Sequence, residues 1–116
     1  MKTDIQNQIA IYTDRLNTLK VNHYNERHTL TDEGTRSFDE QIIMTAEFIQ
    51  VLKKQKNEIQ ARIDEILADE RMSYKSATVF ANAPLAMIQW AFETELHTLQ
   101  KVLGVELTKI KVLRGE

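Results

Sequence analysis

Three histidines, His23, His28 and His97, are the side chains best suited to hold a metal or move a proton near neutral pH. Their spacing gives them no common site. His23 and His28 are five apart, off the i,i+4 spacing that stacks two ligands on one helical face. His97 follows Glu93 by four, but two ligands without a third make no zinc centre. Asp32, Glu33 and Gly34 begin like a calcium loop, yet the alternating oxygen ligands and the closing glutamate are missing. The three glycines are scattered, so neither a phosphate-cradling loop nor a nucleophile elbow can be drawn. Cysteine is absent, which removes thiolate nucleophiles, disulfides and cysteine zinc sites. The carboxylate pairs Asp39–Glu40 and Asp64–Glu65 fall in helical stretches and read as solvated charge. The expectation is a protein without enzymatic chemistry, cofactor or metal.

One group of residues has the makings of a binding site. Phe80, Asn82, Arg71, Lys109 and Arg114 are brought together if the C-terminal third folds as strand, helix, strand with the two strands parallel; antiparallel strands, or strands exchanged between protomers, are the competing geometry. Free backbone N–H groups at the start of the intervening helix suit a phosphate, and open α/β units place ligands at the carboxyl ends of strands. Phe80 would stack on a base, Asn82 would hydrogen-bond a base or ribose, and the cations would meet an anion. The competing reading makes Phe80 a core residue and Asn82 a helix cap.

The elements that would position these residues follow from periodicity. From Phe38 to Glu70, steps of four and three pick out Phe38, Ile42, Thr45, Ile49, Leu52, Lys56, Ile59, Ile63, Ile66 and Glu70. Such a run, free of Gly and Pro, predicts a long helix with a coiled-coil-like seam, about 50 Å at the usual rise. Residues 3–28 repeat the pattern at Ile5, Ile9, Tyr12, Leu16, Leu19 and His23, with Thr3 or Asp4 as the cap. Thr29 to Ser37 is turn chemistry, and Ser37 with Glu40 forms a capping box opening the long helix. The two helices fold back as an antiparallel hairpin, setting His23 near Ile42 and Tyr12 near Leu52.

Tyr74 to Ala81, rich in aromatic and β-branched residues, reads as a strand. Pro84 opens a helix that runs to Leu103 and stops at Gly104, with Leu85, Ile88, Phe92, Leu96, Leu99 and Leu103 on its apolar face. Val105 to Leu113 alternates as a second strand. The fold expected is therefore mainly α: one domain over 1–116, with a hairpin over 1–70 and a β-α-β element over 71–116. The hairpin leaves Met44, Phe48 and Val51 uncovered, with Ile63 and Ile66, and Trp90 adds an exposed aromatic. These six are the expected interface between copies, since so much apolar surface is unusual on a monomer. Open edges of a two-stranded sheet point the same way.

Composition narrows the partners. Residues 1–70 carry nine Lys+Arg against thirteen Asp+Glu, net −4, and residues 71–116 six against four, net +2. An acidic chain makes a poor general binder of nucleic acid. No apolar run approaches the ~20 residues of a membrane span, and cytoplasm is the default location.

The hairpin followed by SATVFANAPLAMIQ (Ser76 to Gln89) and LQKVLG (Leu99 to Gly104) resembles small phage proteins that counter bacterial nucleotide-signalling defences. These are the anti-Thoeris and anti-CBASS sponges built on a helical hairpin. The resemblance implies a non-enzymatic oligomer in the host cytoplasm that captures a cyclic nucleotide or ADP-ribose-derived signal between protomers. The alternative is a hairpin interaction module, an inhibitor or adaptor of a host protein, with no small-molecule ligand.

Overall fold

The structure, a computed structural model, describes residues 4–116; Thr3 lies outside them. Helices α1 (Ile5–Glu26) and α2 (Asp32–Ala68) are followed by a 3₁₀ turn (Glu70–Ser73). Then come α3 (Ser76–Phe80), α4 (Ala83–Leu103) and α5 (Ile110–Leu113). The chain divides into two compact units, the first ending at Lys56 and the second beginning at Asn57. The division falls inside α2 and not after Glu70. The end of α2 carries Ile63 and Ile66, which are buried in the core of the second unit with Met72, Val79, Leu96 and Leu103. These two isoleucines are therefore covered by the chain itself, against the expectation that they lie at an interface between copies.

In the first unit the two apolar rows are where periodicity puts them. Ile5 is buried, and Ile9, Tyr12, Leu16, Leu19 and His23 are half-buried. On α2, Phe38, Ile42 and Thr45 are half-buried, while Ile49 and Leu52 are buried. Asp4 caps α1, its carboxylate accepting from the Asn7 N–H at 2.8 Å.

The start of α2 differs from expectation. The Thr31 hydroxyl accepts from the Gly34 N–H at 3.0 Å, and the Thr31 carbonyl from the Thr35 N–H at 2.9 Å, so the helix opens at Asp32. Ser37 sits inside it and forms no capping box; its hydroxyl accepts from Gln41 Nε2 at 3.2 Å. The shorter loop shifts the hairpin register. Tyr12 meets Phe48 edge-on at 4.7 Å between centroids, and His23 stacks on Phe38 at 5.5 Å. Each partner lies four residues earlier than the sequence suggested, one turn of helix.

The β-α-β element is not formed: among the described residues there is no strand. Residues 76–80 are helical, and 105–109 form no regular element before α5. Side chains stand where a neighbouring strand would have been. The Thr108 N–H donates to Gln100 Oε1 at 2.9 Å, and the Thr108 carbonyl lies 2.7 Å from His97 Nε2. The Ser76 N–H donates to the Glu116 carboxylate at 2.8 Å. With those backbone groups satisfied, the segments gain little from sheet pairing.

Helix α4 follows its sequence signals. Asn82 Oδ1 accepts from the Leu85 N–H, Pro84 lies in the first turn, and Gly104 ends the helix at φ 73°. A left-handed residue there suits glycine, which carries no Cβ to clash. Leu85, Ile88, Phe92, Leu96, Leu99 and Leu103 are all buried or half-buried. A bidentate pair joins α4 to the end of α2: Arg62 Nε to Glu95 Oε1 at 2.6 Å and Nη2 to Oε2 at 2.9 Å. No helix among the described residues is long and apolar enough to cross a membrane.

Leu96 has no exposed surface at all. Replacing it with Ala removes buried methyls and leaves a cavity, so Leu96→Ala is expected to lose about 2–5 kcal/mol in a urea titration. A loss below about 1 kcal/mol would mean that α4 is not packed as described.

Candidate functional site

A cleft of about 210 Å³ opens on the second unit between α3, α4 and α5. Val79, Phe80, Ala86, Trp90 and Ile110 supply apolar walls, and Gln89, Glu93 and Arg114 supply the polar groups. Two aromatic side chains at its rim are unusually bare: Phe80 is 89% exposed and Trp90 69%, with Met87 nearby along α4 at 71%.

Beneath them the cleft is built over a buried amide. Gln89 is only 2% exposed and lies on the same side of α4 as Leu96, Gln100 and Leu103. Those positions are seven, eleven and fourteen residues on, within about 60° of one another at 100° per residue. Gln89 Nε2 donates to the Arg71 carbonyl at 2.6 Å and the Tyr74 carbonyl at 3.1 Å. Its Oε1 accepts from Arg114 Nε at 3.0 Å and Nη2 at 2.6 Å. Arg114 Nη1 reaches the Ser76 hydroxyl at 3.2 Å, and that hydroxyl also donates to the Glu116 carboxylate. Lys75 Nζ donates to the Gly115 carbonyl at 3.3 Å. The Ser76 N–H first, and its hydroxyl second, hold the Glu116 carboxyl below its ordinary pKa.

The residues singled out from sequence fall in different places. Phe80 and Arg114 both line this cleft. Asn82 is exposed and caps α4. Arg71 is held by Asp69, Nε to Oδ1 at 2.9 Å and Nη2 to Oδ2 at 2.7 Å, with its guanidinium 5.1 Å from the Phe92 ring. Lys109 is exposed just before α5. Of the remaining residues, Trp90 lines the cleft, while Met44, Phe48 and Val51 stand exposed on α2 in the first unit. Sequence reading passed over Gln89, Gln100, Ser76 and Glu116. The signal for the glutamines was available: each lies on the apolar side of α4, where an amide has to find partners. Nothing local announces Ser76 and Glu116, forty residues apart.

Among the described residues, no group of three or more His, Asp and Glu is placed to hold a metal ion. Comparison with protein-family models, with curated proteins and with solved structures finds no match for this chain.

Two expectations follow from this geometry. Gln89→Met keeps the volume but strips donors from two carbonyls and the acceptor from Arg114. It should cost about 2–4 kcal/mol in chemical denaturation, since each stranded group then bears its desolvation penalty without a compensating bond; a neutral outcome would show that the amide is not buried as described. The second concerns Asp69, whose pKa is lowered to about 2 by the Arg71 side chain and then by the Arg71 N–H. A depressed carboxyl stabilises the fold above its ordinary pKa and loses that contribution as pH falls through the folded value. An NMR titration should therefore place the Asp69 midpoint near 2, and Arg71→Gln should move it back towards the usual ~4. A normal midpoint in the parent chain would refute the pairing.

Proposed function

We propose that this chain acts by binding, without chemistry of its own, as a helical interaction module that associates with copies of itself. In this reading the second unit offers the Phe80–Trp90 cleft to a protein partner. The observation that carries it is the exposure of Phe80 and Trp90 on the walls of a hollow, with Met87 also exposed on α4. Large apolar groups clustered in water mark an interaction surface, and Trp in particular serves as an anchor at protein interfaces. The size of the hollow favours the same view. Its volume of about 210 Å³ falls below the roughly 300–1,000 Å³ of small-molecule pockets and suits one inserted side chain.

A second reading is favoured by the presence of both Phe80 and Arg114 on the cleft walls. An aromatic face beside a guanidinium is suited to a base and its phosphate. On this view the protein is a phage-type counter-defence sponge of the host cytoplasm, sequestering a cyclic nucleotide or ADP-ribose-derived signal in an oligomer. The hollow of one copy would then be enlarged by a neighbour.

The two readings separate experimentally. Immobilised parent chain and a Phe80→Ser, Trp90→Ala double variant would be exposed to the same bacterial lysates. The module reading expects a protein retained by the parent and reduced about tenfold on the variant, with circular dichroism unchanged. Equal retention of every protein on both would overturn it. Thermal shift with cyclic dinucleotides and cyclic ADP-ribose isomers tests the sponge. A one-site ligand at a hundredfold excess over Kd adds about 2.7 kcal/mol. No shift across the panel would leave the module reading alone.

A further inference from the structure

The first unit buries few of its large apolar side chains: only Ile5, Ile49 and Leu52 among its described residues are fully enclosed. A second row on α2, Met44, Phe48 and Val51, repeats at four and three residues, the spacing of a coiled-coil seam. At 100° per residue it lies about 110° around the helix from the row Phe38 to Leu52 that carries the hairpin seam. The second row stands in solvent at 68%, 42% and 51% exposure. Beside it a notch of about 300 Å³ is lined by Tyr12, Met44, Thr45 and Phe48. Glu47 and Lys54 flank the row on one side, one heptad apart. Neither takes part in an ion pair among the described residues.

We propose that a second copy of this chain covers the row, through a two-fold antiparallel pairing of α2 with α2. Phe48 of each copy packs against Val51 of the other, and Glu47 of each meets Lys54 of the other. The sequence and geometry select this occupant by self-complementarity. In a two-fold contact, i touching j requires j to touch i, so one short row serves both partners. Opposite charges seven residues apart on one flank match each other only when the helices run in opposite directions. A parallel pairing in register brings Glu47 to Leu52, which its own chain already buries, and leaves the carboxylate without a cation. The notch receives Val51 of the second copy as a knob enters a hole. Two hairpins joined in this way form a four-helix arrangement around a shared apolar centre.

This inference deepens the self-association in the reading above, and it does not involve the Phe80–Trp90 cleft. Lysate capture reads the cleft and the α2 variants read this face, whereas a parent chain that stays monomeric removes the self-association common to both. Sedimentation equilibrium of the full chain, from about 1 to about 100 µM at low salt, reads the dimer directly. Met44→Lys and Val51→Lys change exposed residues and should keep the helical circular dichroism while raising the dimer Kd at least about tenfold. Phe48 is left intact because it meets Tyr12 within the chain. Glu47→Lys and Lys54→Glu should each weaken the dimer by about threefold or more, and the double reversal should restore it. The proposal is overturned if the parent chain stays monomeric at the highest concentration. It is equally overturned if the dimer ignores Met44→Lys and Val51→Lys, or if the double reversal is no tighter than the single ones.

Discussion

The second unit depends on one buried amide. Gln89 presents its two donors to the carbonyls of Arg71 and Tyr74 and its oxygen to the fork of Arg114. The residues it joins come from the 3₁₀ turn, the connection into α3, and the chain beyond α5. None of these pieces is long enough to be a stable element alone: α3 has five residues and α5 four. They are ordered because α4 offers them partners. An amide enclosed at this depth is tolerable only when every polar atom is satisfied, and here it is. The cleft owes its shape to that arrangement. Gln89 and Arg114 supply its fixed polar groups, so Phe80 and Trp90 can stand in water without the wall beneath them giving way.

The two units are held by different means. In the first, apolar rows on α1 and α2 meet along a seam, with aromatic contacts at Tyr12–Phe48 and His23–Phe38. In the second, hydrophobic burial at Ile66, Met72, Leu96 and Leu103 is joined by directional bonding. Gln100 does for Thr108 what Gln89 does for Arg71 and Tyr74, exchanging hydrogen bonds with both its N–H and its hydroxyl. The Arg62–Glu95 fork adds a planar, two-point tie, although its half-exposed side chains limit what it contributes. Burial supplies most of the driving force, and the polar ties choose among ways of achieving it.

How far the sequence disclosed this depends on the length of the pattern. The seams of α1 and α2 were legible because many apolar residues repeat at one period, and the ends of α4 because Asn82, Pro84 and Gly104 are unambiguous punctuation. The hairpin register was misread by one turn. Thr31 and Ser37 both carry the chemistry of a cap, and Gly34 between them looks like a turn, yet the backbone bonds to Thr31 win. The strands were misread for a different reason. YKSATVFA has the composition of a strand, but strand propensity expresses a fit to a partner strand, and among the described residues no strand lies beside it. Its polar groups find Glu116 and Gln89 instead, contacts across fifteen to forty residues that no local window contains. Of the residues lining the cleft, Phe80 and Arg114 are among those the sequence grouped together, whereas Trp90 was expected between copies. The buried glutamine that organises them lies at the edge of the apolar side of α4, where its residue type suggests surface although its position asks for buried partners.

The antiparallel hairpin and the stitched second unit also differ in when they can form during synthesis. Contacts within the hairpin bridge a short loop, so its halves can zip together as soon as both have left the ribosome. The second unit has to wait. Arg114 and Glu116 supply bonds to Gln89 and Ser76 from twenty-five and forty residues further along, and until they emerge an amide destined for the interior stays hydrated. Local pairing thus lets the hairpin form early, while the cleft waits on bonds that bridge tens of residues.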